Sequence, residues 1–247
     1  MTRFILISPQ RLSFRDVNPH FNHMAYSLRR YFIDEFYERK IKGFPAISHI
    51  LDLGGKKEKK RGQFDINKHQ QNVIYVNIDP ASSPNILGDG SALPISDNSM
   101  DIVICSELLE HSPNPMTILL EAWRVLKVNG TLLASAPFLF RIHPDPIDYA
   151  RYSDYFWGNA LSEIGFQSIK IEKQGYFFSV LADMFRGLVN QLINDNKIHN
   201  RLYTKFSIRF VSWATKKALH LEKKTYFSRS KYFKSYTTGF GITAQKK

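Results

Sequence analysis

Residues 89–111 read Asp-Gly-Ser-Ala-Leu-Pro-Ile-Ser-Asp-Asn-Ser-Met-Asp-Ile-Val-Ile-Cys-Ser-Glu-Leu-Leu-Glu-His. Within this run, residues 101–105 are almost entirely apolar, and polar side chains follow at once. A short apolar segment without alternation is typical of a strand that is buried on both faces of a parallel sheet. Because ligands bind at the carboxyl ends of the strands in such sheets, the residues that follow each strand are the candidates for chemistry.

On both sides of this run, apolar strands alternate with helical segments. The predicted strands are 47–53, 72–78, 85–87, 101–105, 130–136, 166–172 and 237–244. Two predicted helices, 116–126 and 154–164, lie between these strands in the chain. This order predicts an α/β fold with a Rossmann-like, mostly parallel seven-stranded sheet and helices on both faces. A helical insertion is expected before the last strand.

The remaining segments suggest how the chain is organised. Residues 1–45 read as an N-terminal helical cover, in which residues 23–42 show helical spacing and Arg29 and Arg30 lie off the apolar stripe. Residues 46–175 form the predicted core, residues 176–235 a basic helical insertion, and residues 236–247 the last strand of the core. We see no internal repeat.

Composition limits the class of protein. The chain has 247 residues, of which 43% are hydrophobic, enough for a buried core. The single cysteine, Cys105, excludes an intramolecular disulfide and favours a reducing compartment. The apolar run at residues 4–7 is too short for the core of a signal peptide, and no stretch is long enough to span a membrane. We therefore expect a cytoplasmic protein, with peripheral contact at the inner face of the membrane as an alternative.

The net charge of +12 is unevenly distributed. Residues 73–175 carry −6, whereas residues 176–247 carry +11. Within residues 201–224, apolar side chains fall near one helix face and basic side chains surround them, a pattern that can lie on an anionic membrane. The alternative is a substrate lid packed on the core with its lysines in solvent. The basic segment lacks a recognisable RNA-binding module, so a nucleic-acid partner is disfavoured.

The first strand ends in a glycine turn, residues 51–55, Leu-Asp-Leu-Gly-Gly. Glycine lets the backbone approach a ligand that a side chain would block. Asp79 lies 27 residues after Asp52, at the end of the second strand, where a carboxylate can accept hydrogen bonds from a ribose diol. Asp89 follows the third strand, where it could accept from an adenine amino group.

The ordered set of these motifs resembles the class I methyltransferases of the methyltransferase 11 type. The resemblance rests on residues 89–94 (Asp-Gly-Ser-Ala-Leu-Pro), 97–103 (Asp-Asn-Ser-Met-Asp-Ile-Val), Glu110-His111 and 124–130 (Arg-Val-Leu-Lys-Val-Asn-Gly). It covers about residues 46–174 and the last strand. The resemblance implies S-adenosylmethionine as the cofactor and methyl transfer as the activity.

The resemblance also implies which residues surround the cofactor. These are Asp52, Gly54 and Gly55 at the turn, Asp79 at the ribose, Asp89 and Gly90 at the adenine, and Ser106 and Glu107 beside the cofactor. Asp52 could instead be a structural carboxylate beneath the turn. The turn departs from the family pattern, because residues 56–61 read Lys-Lys-Glu-Lys-Lys-Arg where a further glycine is usual. This loop either approaches an anionic group of the ligands or is a solvated charged loop.

Residues 143–152 resemble the His-x-x-Pro-x-Asp-Tyr-x-Arg-Tyr element of a subset of these enzymes, met among bacterial glycan and natural-product methyltransferases. A hydroxyl acceptor needs a base, and imidazole titrates near neutrality. His143 is the first candidate and His111 the second. The candidate substrate contacts are Asp148, Tyr149, Arg151 and Tyr152. Alternatively, His143 only holds the loop, with Asp148 and Arg151 as a structural pair.

No metal site is expected, because the histidines are scattered and there is no cysteine pair. Asp145 and Asp148 leave a metal-assisted reaction as an alternative. The leading hypothesis is O-methylation of a small-molecule or glycan-like acceptor. RNA methylation and a non-catalytic, cofactor-binding partner subunit remain alternatives. A nicotinamide-dependent dehydrogenase is disfavoured, because the Gly-x-Gly-x-x-Gly pattern is missing.

Overall fold

The computed structural model describes residues 5–7, 24, 26–58, 60–143, 146–195, 197 and 200–247. Its strands are β1 (Ile5–Ile7), β2 (His49–Leu53), β3 (Asn72–Asn77), β4 (Ile86–Leu87), β5 (Met100–Ser106), β6 (Leu126–Pro137), β7 (Phe166–Gln174) and β8 (Gly239–Lys246). Its α-helices are α1 (Leu28–Ile41), α2 (Pro115–Val125), α3 (Asp154–Ile164), α4 (Phe177–Asn194), α5 (Arg201–Lys223), α6 (Thr225–Arg229) and α7 (Lys231–Ser235). Short 3₁₀ helices span Ile66–Lys68, Pro80–Ser82 and Leu109–His111.

The strands form one sheet in the order β1-β7-β8-β6-β5-β2-β3-β4. Neighbouring strands are parallel except at β8, which runs antiparallel to both β6 and β7. Strands β2 to β8 are the seven that the sequence predicts, so the expected Rossmann-like, mostly parallel sheet is confirmed. The carboxyl ends of β2, β3, β5 and β6 therefore meet at one edge.

The first strand, β1, adds an eighth member to the sheet that sequence analysis does not predict. It pairs in parallel with β7, with Ile5 opposite Lys170 and Ile7 opposite Glu172. Three residues are too few for an alternating pattern to be recognised. The strand forms because β7 offers an otherwise unpaired edge, which is a long-range condition.

Helices cover both faces of the sheet, as predicted. In β5, Val103 and Cys105 pack in a cluster with side chains of α2 and α3. The intervening residues, Ile102 and Ile104, pack in a second cluster with side chains of α1. Because successive side chains of a strand point to opposite faces, a strand covered on both sides is apolar at every position.

Helix α1 begins later than the sequence predicts. The expected helix starts at His23, which, like Ala25, lies outside the described residues. Ser27 caps the helix, because its side chain accepts a hydrogen bond from the backbone N–H of Arg30 over 3.0 Å. Arg29, expected on the polar face, is only 2% exposed. That expectation was wrong because α1 is covered on two sides, by the sheet and by α4 and α5.

Helices α4 to α7 lie between β7 and β8 in the chain. Helices α4 and α5 run antiparallel, since Phe178 and Leu221 lie at one end of the groove between them and Phe185 and Phe210 at the other. Within the described residues, none of the helices combines the length and the apolar character needed to cross a bilayer.

Glu222 of α5 joins the two long helices of the insertion by capping α4. Its carboxylate accepts from the backbone N–H groups of Tyr176 (3.1 Å) and Ser179 (2.7 Å) and from the Ser179 hydroxyl (2.9 Å). Burial raises the pKa of Glu222 to about 7, although these donors favour the charged form. The side chain therefore supplies acceptors that the first turn of α4 otherwise lacks.

We expect Glu222→Ala to lower the free energy of unfolding by about 1–3 kcal/mol, because buried donors of α4 lose their acceptor. Glu222→Gln keeps one carbonyl oxygen at this position, so it should lower the free energy of unfolding by less. Urea denaturation followed by circular dichroism measures both variants. Equal losses in the two variants would contradict a capping role.

Candidate active site

The predicted glycine turn follows β2. Gly54 has a φ of +75°, and its N–H donates to the carbonyl oxygen of Val76 in β3 over 2.8 Å. A Cβ on Gly54 would lie 2.9 Å from Leu108, and a Cβ on Gly55 would lie 2.2 Å from Oδ2 of Asp52. The Nδ2 group of Asn77 donates to the carbonyls of both glycines, over 2.9 and 3.0 Å. Sterics thus require both glycines, and Asn77 holds the turn.

Asp52 lies beneath this turn. Its Oδ1 atom is shut off from solvent and has no hydrogen-bond partner among the described residues. Burial raises the pKa of Asp52 to about 7, and the charge of Lys60 opposes that rise. A buried acceptor without a donor is unusual in a folded protein and is satisfied when a ligand supplies an N–H or O–H group.

A cavity of about 150 Å³ opens beside the turn. Five predicted cofactor residues line it, namely Asp52, Gly54, Gly55, Ser106 and Glu107. Three residues of the atypical basic loop, Lys56, Lys60 and Arg61, also line it. Lys57 and Glu58 are exposed, and Lys59 lies outside the described residues. The loop is therefore partly a wall of the cavity and partly a solvated surface.

Three other predicted cofactor residues do not line this cavity. Asp79 and Asp89 are exposed, and each carboxylate accepts from a nearby backbone N–H over 2.9 Å, that of Ala81 or that of Ser91. Gly90 has room for a side chain, because a Cβ there would only reach ordinary contact with Ile118 at 3.7 Å. These residues lie after β3 and β4, at the same edge of the sheet as the turn.

Glu107 is held by a buried ion pair that sequence analysis missed. Its backbone φ of +51° is left-handed, and its N–H donates to the carbonyl oxygen of Ser135 over 3.0 Å. Arg29 pairs with both carboxylate oxygens of Glu107, with one contact of 3.1 Å, and also donates to Gln174. Arg29 therefore holds the pKa of Glu107 below its ordinary value despite burial. Nothing local in the helical pattern of α1 indicates this partner.

The structure brings the two predicted histidines together. The rings of His111 and His143 lie edge to face, with 5.2 Å between centroids. The Nδ1 atom of His111 lies 2.7 Å from the carbonyl oxygen of Ile147. The Nδ1 atom of His143 lies 3.2 Å from the carbonyl oxygen of Arg141 and 3.3 Å from Oδ2 of Asp148. A carbonyl only accepts, so Nδ1 carries the proton in the neutral ring of His111. At Nδ1 of His143 the two acceptors lie closer than the Arg151 guanidinium, a donor at 3.5 Å, and favour the same tautomer, with Nε2 as the basic atom.

Both histidines line a second cavity, of about 630 Å³. Burial lowers the pKa of His143 below its ordinary value, so the ring is neutral at pH 7. Arg186 and Asn190 of α4 line the same cavity. Glu107 lines both this cavity and the smaller one, so the two spaces meet at its side chain.

Asp148 and Arg151 form a pair beneath His143. Arg151 donates to both carboxylate oxygens of Asp148, and this contact holds the pKa of Asp148 at about 2. Asp148 also accepts from the backbone N–H of His143 over 2.9 Å. The pair therefore sets the position of the His143 loop. Asp145 lies outside the described residues.

The two tyrosines that were predicted to contact the substrate, Tyr149 and Tyr152, contact other parts of the protein instead. The ring of Tyr152 stacks on Phe156 at 4.1 Å and meets Trp157 edge to face at 5.1 Å. Tyr149 is 49% exposed, and its N–H donates to the carbonyl oxygen of Glu110 over 2.8 Å. Asp148, Tyr149, Arg151 and Tyr152 line neither of the two cavities.

Glu110, which sequence analysis quotes in a motif but gives no role, is a buried acid beside the two histidines. It is 1% exposed, and neither carboxylate oxygen has a hydrogen-bond partner among the described residues. Burial, and then the charge of Glu107, raise the pKa of Glu110 well above its ordinary value. Glu110, His111 and His143 each offer a ligand atom, and these atoms lie within 4.8 Å of one another. This group could hold a metal ion, although the charges of Arg29 and Arg151 act on the same carboxylate and oppose a cation.

Comparisons with known proteins match part of this chain to methyltransferases. Residues 60–134 match the family model of the methyltransferase domain, so the match begins just after the glycine turn and within its atypical continuation. An uncharacterized methyltransferase of Mycobacterium bovis is 31% identical over 105 residues, which cover 37% of this chain and 40% of that relative. The demethylmenaquinone methyltransferase of Anoxybacillus flavithermus is 28% identical over 159 residues, which cover 61% of this chain and 60% of that relative. The chain thus matches less than two thirds of the length of these relatives.

A solved structure shows the same fold. The S-adenosylmethionine-dependent methyltransferase from Archaeoglobus fulgidus superposes with a TM-score of 0.55 at 15% identity, over 88% of this chain and 94% of that chain. This likeness shows the fold, and residues 60–134 match a methyltransferase domain.

We expect Arg29→Met to lower the free energy of unfolding by about 3–5 kcal/mol, because it leaves the buried Glu107 carboxylate without its cation. The double variant Arg29→Met/Glu107→Gln should regain part of this loss. Urea denaturation of both proteins measures the difference.

Arg39→Met is a suitable control for this prediction. Glu172 loses Arg39 in that variant but keeps Lys40 at 2.6 Å, so the loss should be about 1 kcal/mol or less. If Arg29→Met lowers the free energy of unfolding no more than Arg39→Met does, the buried pair does not hold the site together.

Proposed function

We propose that this protein transfers a methyl group from S-adenosylmethionine to a hydroxyl group of a small-molecule or glycan-like acceptor. The observation that carries the proposal is that the cavity at the glycine turn and the cavity at the histidines meet at Glu107. Methyl transfer is an in-line displacement, so donor and acceptor must lie in adjoining spaces. The matched methyltransferase domain supports the same reaction.

The residues at the smaller cavity suit the cofactor. Asp52 lines this cavity and would accept from an ammonium group with its carboxylate, and the two glycines leave the backbone open to a ligand. Ser106 and Glu107 complete the wall, and Asp79 would accept from the ribose hydroxyls. Asp89 and Gly90 would border the adenine. When bound, S-adenosylmethionine supplies a sulfonium methyl group that a nucleophilic oxygen can attack.

His143 is the proposed base. The carbonyl oxygen of Arg141 and the carboxylate of Asp148 hold its Nδ1 proton, so the Nε2 lone pair is available to take the proton of an acceptor hydroxyl. The lowered pKa keeps the ring neutral at pH 7 and ready to accept. His111, whose ring touches that of His143, is the second candidate.

The proposed location is the cytoplasm. The single cysteine, Cys105, is buried within β5, and burial raises the pKa of its thiol. Because the chain has no second cysteine, it can form no intramolecular disulfide, which is typical of a reducing compartment.

We expect Asp79→Ala to weaken the binding of S-adenosylmethionine about tenfold or more, because the ribose hydroxyls lose an acceptor. Isothermal titration calorimetry measures the affinity. Asp97→Ala removes another exposed acid, one that pairs with Arg124, and should leave the affinity unchanged. If the wild-type protein fails to bind at millimolar ligand, the cofactor assignment is wrong.

We expect His143→Ala to lower kcat about 100-fold or more while the affinity for S-adenosylmethionine stays the same. Because a base must be deprotonated, wild-type kcat should rise with pH through a pKa below 6.5, and the variant should lose this rise. A radiolabelled methyl-transfer assay over extracts identifies an acceptor and then measures the rates. His49→Ala, which alters an exposed histidine beside Asp101, is the matched control.

A chelator distinguishes the base from a metal-assisted reaction in the same cavity. If His143 acts as a base, EDTA leaves kcat unchanged. Loss of activity with EDTA and its return with a divalent cation would instead make His143 a ligand, together with Glu110 and His111.

A further inference from the structure

Helix α5 has one buried face and one exposed apolar face. Val211, Thr215 and Ala218 are at most 5% exposed. On the opposite side, Phe206 is 68% exposed and Trp213 is 58% exposed. The exposed set on the two long helices is Leu181, Met184, Phe185 and Leu188 of α4 and Leu202, Tyr203, Phe206, Phe210 and Trp213 of α5. We call this set the α4–α5 face.

The apolar side chains of this face form a continuous surface. Phe210 lies 5.8 Å from Phe185, 6.4 Å from Phe206 and 5.6 Å from Trp213, measured between ring centroids. A groove of about 360 Å³ runs between the two helices and is lined almost entirely by apolar side chains. A monomeric protein in water rarely exposes an apolar surface of this kind unless something binds to it.

Positive charge surrounds the α4–α5 face. Helix α5 carries Lys205, Arg209, Lys216 and Lys217 among its aromatic residues. The acidic residues of the two helices, Asp183 and Glu222, both turn inward. Asp183 accepts from the backbone N–H groups of α1, and Glu222 caps α4.

We propose that the α4–α5 face docks on an anionic bilayer. Its aromatic and aliphatic side chains would enter the boundary between headgroups and acyl chains, and its lysines and arginines would contact the anionic headgroups. A second copy of this chain is a poor partner, because the lysines and arginines of α5 give two such faces charges of the same sign, which repel each other.

Helix α4 lies between the α4–α5 face and the larger cavity. Arg186 and Asn190 of α4 line that cavity, whereas Met184 and Leu188 lie on the exposed face. A docked protein would therefore hold the cavity one helix away from the headgroups, and an acceptor carried on a lipid would have to pass α4 to reach it. This consequence for the acceptor rests on the proposed function, but the membrane contact itself does not.

Vesicle flotation with the full chain tests the proposal. The probes are vesicles of phosphatidylcholine alone and vesicles of phosphatidylcholine with phosphatidylglycerol. We expect the protein to float with the anionic vesicles only. Phe206→Ser/Trp213→Ser and Lys205→Glu/Arg209→Glu should each weaken partitioning about tenfold or more.

Two matched controls should bind as the wild type does. Leu120→Ser replaces an exposed leucine of α2, and Lys170→Glu replaces an exposed lysine of β7. Circular dichroism checks that every variant is folded. If Phe206→Ser/Trp213→Ser fails to fold, Met184→Ser/Leu188→Ser tests the α4 side of the same face.

Three results would overturn the proposal. The first is that the wild type does not float with anionic vesicles. The second is that the controls lose as much binding as the variants of the face. The third is that light scattering shows a dimer that Phe206→Ser/Trp213→Ser dissociates, which would make the face an interface between copies. None of these readouts requires methyl transfer, so they are independent of a failure of the proposed reaction.

Discussion

The buried ion pair between Arg29 and Glu107 joins parts of the chain that are far apart in sequence. Arg29 comes from the second residue of α1, whereas Glu107 follows β5 in a left-handed backbone conformation. The same guanidinium reaches Gln174 at the end of β7, and a side chain on Gly239 at the start of β8 would collide with it. A buried carboxylate is tolerated only when a cation and hydrogen bonds compensate for its lost hydration. The wall between the two cavities therefore depends on the N-terminal helix.

The surroundings of the acids at this pair shift their pKa values in opposite directions. Arg29 favours the charged form of Glu107, whereas burial and the charge of Glu107 together favour the neutral form of Glu110. Asp52, beneath the glycine turn, is also driven toward its neutral form by burial. Titratable groups whose surroundings push their pKa values apart occur at functional sites and also in structural ion-pair networks. A bound ligand that donates to these carboxylates would replace the missing partners.

The two long helices of the insertion, α4 and α5, contribute both to the larger cavity and to the exposed apolar face. The inward face of α4 contributes Arg186 and Asn190 to the larger cavity, and its outward face continues into the apolar surface of α5. Helix α4 therefore lies between a partner on the outward face and the larger cavity.

The elements whose signals are local could be predicted from the sequence. The apolar strands β2 to β8, the helix at residues 154–164 and the glycine turn at Asp52 were all expected where they occur, because burial on both faces and glycine sterics are properties of short segments. The buried Arg29, the paired rings of His111 and His143, and the edge strand β1 could not be predicted from one sequence. Each depends on segments that only the folded chain brings together, and no periodicity records a contact between residues 29 and 107 or between residues 111 and 143. The short-range pattern thus specifies the sheet and the turn, whereas long-range packing specifies which charges face the cavities.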